Sequence, residues 1–214
     1  MSKGKNGVGV IVLAAGRGER FDASVGKKTT GKLMASLGDG VPVGVKTASL
    51  YTHLGMSVLA VVRQPGELSR RLTAQGCDIL VADDAQQGMG ASLAAGVRWY
   101  AAQRATDGTP RYDAVLVALG DMPWVKPSTL AAILSTASRD STRIVVPMHN
   151  GVKGHPVLFG RAHWPALMQL EGDKGARGLL SDPCVLPLAV DDDGIHRDVD
   201  TYHDLDVLPS DPKY

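Results

Sequence analysis

Cysteine is scarce in this sequence, and neither sign of charge is in clear excess. Of its 214 residues only Cys77 and Cys184 are cysteines, and they lie far apart and form no CxxC pair. A disulfide framework or a structural zinc site is therefore not expected. The formal net charge is +1, which gives no electrostatic footprint for duplex nucleic acid or for an anionic membrane. We expect neither nucleic acid nor a membrane as a partner.

A long hydrophobic run is also missing. Lys3 and Lys5 precede an apolar run at 8–13, which superficially resembles a signal peptide. That run is short, and the charged residues Arg17 and Arg20 follow it at once, so we interpret it as a buried strand. With 44% hydrophobic and 21% charged residues, the chain has the composition of a globular protein, which we expect in the cytoplasm.

Short runs rich in Val, Ile and Leu alternate along the chain with segments of helical spacing. The runs are residues 8–13, 57–62, 78–81, 113–119 and 143–146. Continuous apolar strands of this kind are typical of a parallel sheet that is covered on both faces. The helical segments contain Leu68 and Leu72, then Met89, Leu93 and Val97, then Leu130 and Ile133 after Pro127. This order predicts an α/β fold, a three-layer α/β/α sandwich with a mostly parallel, Rossmann-like sheet.

The residues that follow each predicted strand are the candidates for a binding site. In open α/β sheets, ligands bind outside the carboxyl ends of the strands. The segments in question are 14–20, 63–64, 83–90, 120–123 and 149–155, and they are the polar and glycine-rich parts of the chain. This coincidence favours an enzyme.

The loop after the first strand, "LAAGRGERF", imitates two phosphate-binding motifs without fitting either. As a dinucleotide-binding G-x-G-x-x-G it has Phe21 in place of the third glycine, and Arg63 follows the second strand where an acidic residue is expected. As a P-loop, residues 26–33 end in Leu33, which has no hydroxyl group for Mg²⁺. A solvated glycine loop would explain Lys27 and Lys28, but not a strand that ends in "LAAGRGER".

The order of motifs along the chain resembles that of the MobA-like nucleotidyltransferases. The matching segments are "LAAGRGERF" (13–21) with Lys32 and Leu33, "DAQQGMGASLAAG" (84–96), "LGDMPWV" (119–125), "HNGVKGHPVLF" (149–159), "GDKGARGLL" (172–180) and "DVDTYHDL" (198–205). Within the family the pattern is most similar to MocA-type molybdenum cofactor cytidylyltransferases. The chain departs from the family at Gly18, where Ser is usual, at Tyr202, where Pro is usual, and in an insertion at 22–31.

The resemblance implies a role for particular residues. It assigns catalysis to Arg20, Lys32 and Asp121, nucleotide binding to Leu13, Ala14, Ala15, Gly16, Arg17, Gly18, Asp84, Gln87, Gly88 and Ser92, acceptor binding to His155, Lys174 and Arg177, and metal binding to Asp121, Asp198 and Asp200. It also implies a single nucleotidyltransferase domain over 1–214, with a nucleotide-binding half at about 8–125 and an acceptor-binding half at about 126–208. The cofactor implied is Mg²⁺.

Several of these assignments have plainer alternatives. Lys27 or Lys28 could take the place of Lys32, because the insertion makes the alignment ambiguous. Asp121 could be a turn residue before Pro123, and Asp200 could cap a terminal helix that starts near Thr201. Asp198 and Asp200 would face one side of a strand, so that either could be the second metal ligand. His155 could be structural, and Lys174 and Arg177 could lie on a solvated helix face.

The expected reaction is Mg²⁺-dependent transfer of CMP from CTP to the terminal phosphate of molybdopterin, with release of pyrophosphate. Ala15 favours CTP over GTP, because guanylyltransferases of the family generally have Gly there and a methyl group narrows the pocket. The alternatives are guanylyl transfer from GTP, transfer to another phosphorylated acceptor, and a non-catalytic chaperone that delivers the cofactor to a molybdoenzyme client. An NAD-dependent oxidoreductase is disfavoured by Phe21 and Arg63.

Overall fold

The structure is a computed structural model that describes residues 7–16, 18–25, 31–82, 88–137, 141–173, 175–181 and 183–205. Its strands are β1 (Gly7–Ala14), β2 (Ser57–Val62), β3 (Asp78–Val81), β4 (Tyr112–Leu119), β5 (Ile144–His149), β6 (Val152–Lys153), β7 (Val157–Gly160) and β8 (Val185–Ala189). Its α-helices are α1 (Glu19–Val25), α2 (Val43–Thr52), α3 (Glu67–Ala74), α4 (Met89–Ala102), α5 (Pro127–Ala137) and α6 (Trp164–Leu167). Short 3₁₀ helices include Lys32–Met34, Arg177–Ser181, Asp193–His196 and Tyr202–Leu205.

The strands form one eight-stranded sheet. Seven of them follow the order β3-β2-β1-β4-β7-β5-β6, and the eighth, β8, also pairs with β5. The pairs among β1, β2, β3 and β4 are parallel, and so is the pair of β5 with β8. Only β6 and β7 run against their neighbours. The carboxyl ends of β1, β2 and β4 therefore meet at one edge of the sheet, which is where ligands bind in such folds.

Helices cover both faces of this sheet, as the apolar strands require. On β1, Val10 and Val12 pack with residues of α2, α3 and α5, whereas Ile11 packs with residues of α4 and α6. All three side chains are fully buried. Alternate residues of a strand point to opposite faces, so a strand that is apolar at every position needs two helical layers. The predicted three-layer α/β/α sandwich is confirmed.

Helix α4 is fixed to the sheet by Tyr100. The hydroxyl of Tyr100 accepts the N–H of Val10 and lies 2.8 Å from the carbonyl oxygen of Ser57. A Cβ atom on Gly9 would overlap the Tyr100 ring, so this glycine gives the ring its place against β1. Tyr100 lies near the carboxyl-terminal end of α4, so these contacts fix that end of the helix in relation to β1 and β2.

The segment after β5 is more regular than its sequence suggests. Prolines interrupt this segment and no strand was predicted after residue 146, but β6, β7 and β8 extend the same sheet. Pro156 ends the gap between β6 and β7, and Pro187 lies within β8 at the edge of the sheet, where a missing N–H is tolerated. Helix α2 was not predicted either, because it begins with Val43 and Gly44, which have low helix propensity.

Buried Asp192 connects this segment to the rest of the domain. Its side chain is 1% exposed and accepts hydrogen bonds from the N–H of Lys126, the hydroxyl of Thr129 and the N–H of Gly194. These contacts join the start of α5 to the chain that leads to residues 198–200. No helix in the described part of the chain is long and apolar enough to cross a membrane.

Candidate active site

A cavity of about 580 Å³ lies at the carboxyl ends of β1, β2 and β4. Its lining includes six residues of the predicted nucleotide-binding set: Leu13, Ala15, Gly16, Gly18, Gly88 and Ser92. The three predicted catalytic residues, Arg20, Lys32 and Asp121, line it as well, together with Asp200. A second cavity, of about 500 Å³, adjoins it on the side of α3 and is lined by Ala14.

Two cations and two carboxylates form an ion-pair network in the first cavity. The ammonium of Lys32 lies 2.6 Å from Oδ2 of Asp121 and 3.4 Å from Oδ1 of Asp200. Arg20 donates from Nη1 to the other oxygen of Asp200 at 3.0 Å. The Lys32 side chain is 15% exposed and that of Asp121 20%, whereas Arg20 is 84% exposed. Burial alone would lower the pKa of Lys32, but the carboxylates of Asp121 and Asp200 outweigh it and raise that pKa above its usual value.

The carboxylates suit a divalent cation only in part. Oδ1 of Asp121 is buried and has no hydrogen-bond partner among the described residues. Burial and the charges of Asp200 and Asp121 raise the pKa of Asp198, so this carboxyl group is close to both. Among the described residues no group of three His, Cys, Asp or Glu side chains could hold a metal by itself. Mg²⁺ needs only one or two carboxylates when phosphate oxygens and water complete its shell.

The strand expected around Asp198 and Asp200 is not present. Residues 197–200 belong to no helix or strand, and Val199, between the two aspartates in sequence, is buried. The N–H of Val199 donates to the backbone carbonyl of Asp121 at 2.9 Å, which brings this segment beside β4. The capping alternative for Asp200 is wrong: Asp204 accepts the N–H groups of Asp200 and Thr201, while the Asp200 side chain pairs with Arg20 and Lys32.

Gly18 is explained by backbone geometry. It has a φ of +66°, a conformation that favours glycine over serine, and a Cβ there would lie 3.3 Å from Cβ of Lys32. The departure from the family's usual serine therefore lets the loop turn tightly over Lys32. This contact supports Lys32, rather than Lys27 or Lys28, as the lysine of the site, although residues 26–30 lie outside the described part of the chain.

The amino-terminal end of α4 is joined to the segment around Gly172. The N–H of Gly90 donates to the carbonyl of Gly172 at 2.7 Å. Gly88 has a φ of +107°, and a Cβ there would overlap Asp173 and the backbone of Gly172. Residues 88–90 and 172–173 are thus packed together, and Gly88 and Asp173 both line the cavity. Ser92 is 2% exposed and lies behind Gly88 on the same helix.

Other predicted residues lie outside the wall of this cavity or outside the described chain. Burial lowers the pKa of His155, whose Nδ1 has no partner among the described residues, and the charges of Asp121 and Arg177 both act on it. His155 is therefore close enough to Arg177 to feel its charge, and their role in acceptor binding stays a prediction. Arg17, Asp84, Gln87 and Lys174 were predicted as site residues and lie outside the described residues.

Arg63 is a site residue to which sequence reasoning gave no role. Its guanidinium donates from Nε and Nη2 to the carbonyl of Ala15, at 3.2 Å and 2.8 Å. It lines both cavities and stands directly after β2, one of the strand ends singled out as candidates. Its position after a predicted strand marked it as a candidate site residue. Its contact with a backbone carbonyl, however, corresponds to no sequence motif.

Several solved structures share this architecture. Rv0371c from Mycobacterium tuberculosis H37Rv has 29% sequence identity and a TM-score of 0.72, over 93% of this chain and 95% of that one. A structure of Rv0371c in complex with manganese shares 26% identity and a TM-score of 0.63, over 86% and 88% of the two chains. Molybdopterin-guanine dinucleotide biosynthesis protein A from Archaeoglobus fulgidus shares the fold, with a TM-score of 0.63 at 20% identity over 92% and 94%.

Among curated proteins, the bifunctional protein GlmU of Micrococcus luteus is 32% identical over 142 residues. The match covers 64% of this chain and only 27% of that larger protein. The model of the MobA-like NTP transferase domain matches residues 10–187, which include Lys32, Asp121 and the two glycine-rich loops of the cavity. The chain therefore belongs to the MobA-like NTP transferase domain family, and it is a nucleotidyltransferase by family.

Proposed function

We propose that this protein is a Mg²⁺-dependent cytidylyltransferase. It transfers CMP from CTP to the terminal phosphate of a molybdopterin-type acceptor in the cytoplasm and releases pyrophosphate. The observation that carries the proposal is the convergence of Lys32, Arg20, Asp121 and Asp200 in one cavity at the carboxyl edge of the sheet. Such a pairing of cations with carboxylates suits a triphosphate and its counter-ion.

The glycine-rich loop is suited to the phosphates of the nucleotide. A Cβ on Gly16 would meet no atom within 4 Å, so the backbone there is open to close approach by a ligand. Backbone N–H groups in such a loop bind anions without any side chain. Lys32 and Arg20 neutralise the β- and γ-phosphoryl oxygens, Lys32 as a point charge and Arg20 as a planar fork.

Asp121 is the residue best suited to hold Mg²⁺, with Asp200 or Asp198 as the second carboxylate. The unpartnered and buried Oδ1 of Asp121 is the observation that fits this role. When bound, Mg²⁺ offsets charge on the triphosphate and polarises the phosphoryl group under attack. The manganese complex of Rv0371c is consistent with a divalent cation in this family.

The reaction needs no nucleophilic side chain. An ionised oxygen of the acceptor phosphate forms a bond to the α-phosphorus of CTP, and the bond from that phosphorus to the bridging oxygen of the β-phosphate breaks. Pyrophosphate leaves with the electron pair of the broken bond. The residues of the chain position the two substrates and neutralise charge, which supplies most of the catalysis in phosphoryl-type transfers. In this proposal His155 and Arg177 bind the acceptor phosphate.

Ala15 supports CTP as the donor. It is 8% exposed, packs against the core under α4 and lines the cavity, so its methyl group takes up space that a purine would use. A difference of one methyl group discriminates about 10–200-fold.

The test is pyrophosphate release by the purified protein with Mg²⁺ and molybdopterin, with CTP compared with GTP. The key variant is Asp121→Asn, and its matched control is Asp39→Asn, which breaks a surface ion pair of 2.7 Å with Lys46 far from the site. We expect CTP-dependent release that D121N reduces by about 100-fold or more and D39N leaves intact.

The other outcomes decide between the alternatives. A preference for GTP would show that GTP is the donor nucleotide, and the proposed mechanism would stay the same. Turnover only with a different phosphorylated acceptor would replace the acceptor. Binding of nucleotide and molybdopterin without any turnover would identify a cofactor chaperone for a molybdoenzyme client.

A further inference from the structure

We propose that Arg63 sets the discrimination between nucleobases by holding the peptide of Ala15 in place. The proposal rests on the proposed function, because it concerns the donor pocket of the same site. It assigns a positioning role to a residue that lies outside all of the motifs shared with the family.

Arg63 makes two hydrogen bonds to the backbone of Ala15. Two nitrogens of one guanidinium donate to a single carbonyl oxygen, at 3.2 Å and 2.8 Å. The regular pairing of β1 with β2 ends one residue earlier, at Ala14 opposite Val62. Arg63 therefore extends the connection between the two strands past the last backbone pair, with a rigid planar group in place of a backbone bond.

The described residues of the loop just beyond Ala15 are both glycines. Gly16 has open space around the position of a Cβ, and Gly18 has a positive φ, so the loop is built from residues with wide conformational freedom. Because the peptide bond is planar and trans, fixing the Ala15 carbonyl also fixes the direction of the Gly16 N–H. Arg63 thus sets two features of the pocket: the depth to which the Ala15 methyl projects and the aim of one anion-binding donor.

The charge of Arg63 agrees with a role at a ligand. Lys32 and Arg20, the other basic residues that line the cavity, both have carboxylate partners. Arg63 has none among the described residues, and its only hydrogen bonds there go to the Ala15 carbonyl. A half-buried guanidinium without a counter-ion adds positive potential to the cavity, which favours nucleotides of either base equally. The effect specific to the base comes from the contact with Ala15.

The test measures kcat/KM for CTP and for GTP in Arg63→Met, Arg63→Lys, Ala15→Gly and the double variant R63M/A15G. We expect R63M to shift the CTP-to-GTP ratio toward GTP by about 10-fold or more, the low end of what one methyl group discriminates. A15G should shift it in the same direction. The double variant should add little to A15G, because Arg63 acts through Ala15. R63K, which can donate one bond, should retain part of the discrimination.

The matched control is Arg70→Met, on the exposed side of α3, where Arg70 pairs with Glu67. It should leave the ratio unchanged. An equal loss for both nucleotides in R63M would show that Arg63 serves the phosphates alone and would overturn the proposal, as would fully additive effects in the double variant.

The proposed function can fail separately. If the wild-type protein prefers GTP, the assignment of CTP as the donor is wrong. The inference about Arg63 still holds in that case if R63M changes the ratio of kcat/KM for CTP to kcat/KM for GTP. If no acceptor gives turnover, the ratio of dissociation constants for CTP and GTP, measured by calorimetry, replaces the kinetic ratio with the same expected shift. If R63M does not fold, R63K alone must lower the ratio.

Discussion

Nζ of Lys32 lies 2.6 Å from Oδ2 of Asp121, although 89 residues separate them in the chain. The same ammonium lies 3.4 Å from Asp200. The positive charge of Lys32 therefore lies beside Asp121, the carboxylate best suited to the metal, and beside Asp200, one of the two candidates for the second ligand. A divalent cation that binds these oxygens without a nucleotide must compete with it. A triphosphate changes this balance, because its oxygens offer Lys32 another partner.

This competition predicts that Lys32→Met binds Mn²⁺ more tightly than the wild-type protein in the absence of nucleotide. The loss of a unit charge this close to the carboxylates is equivalent to a few kcal/mol, so we expect about a tenfold or larger gain in affinity. Calorimetric titration with Mn²⁺ measures it directly. Lys46→Met, which removes the surface partner of Asp39, is the control and should not alter Mn²⁺ binding. Weaker Mn²⁺ binding by K32M would show that Lys32 supports the metal site instead of competing with the metal.

The free energy of unfolding should depend on pH through His155. Burial lowers the pKa of this imidazole below its usual 6.5, so the folded state keeps it neutral where the unfolded state binds a proton. The folded pKa is depressed, and stability therefore falls as the pH decreases through 6.5. Urea unfolding of the wild type and of His155→Gln over this range measures the contribution. H155Q should show a shallower fall in stability, and an equal slope in both proteins would place the dependence on other groups.

Gly88→Ala should destabilise the protein more than a glycine substitution at similar φ in open space. At Gly88 a Cβ would overlap Asp173 and the backbone of Gly172, whereas at Gly31, with a φ of +95°, it would meet no atom within 4 Å. Gly31→Ala therefore measures the backbone strain alone. The difference between the two free energies of unfolding should be about 1–3 kcal/mol, the usual range for overpacking. Equal values would show that the loop of residues 171–173 can move away without cost.

Asp192→Ala should be among the most destabilising single substitutions in the domain. It leaves the N–H groups of Lys126 and Gly194 and the hydroxyl of Thr129 without their acceptor. Each buried donor without a partner costs about 1–3 kcal/mol, so the total should reach about 3 kcal/mol or more. Thermal and urea unfolding measure it. Its neighbour Asp193 has a 65% exposed side chain and a 3.8 Å contact with Arg197, and Asp193→Ala should cost about 1 kcal/mol at most.

The sequence was most informative where structure is decided locally. The continuous apolar runs identified β1 to β5 closely, because a strand buried on both faces must be apolar at every position. Helix α2 was missed because it begins with residues of low helix propensity, and β6 to β8 were missed because β6 has only two residues and prolines lie beside β7 and within β8. In the site, glycine and aspartate motifs pointed to the cavity wall. Arg63 and the pairing of Arg20 with Asp200 could not be found this way, because each is a single long-range contact with no local pattern.

The ion pair of Arg20 with Asp200 spans 180 residues of the chain. On the ribosome, the loop that carries Arg20 leaves the exit tunnel long before Asp200 has been synthesised. A nascent chain in which β1 to β4 have already paired can join Lys32 to Asp121, but it still lacks the second carboxylate. The order of synthesis therefore makes the segment around Asp200 the last component of the site to arrive, and until then Arg20 lacks its carboxylate partner.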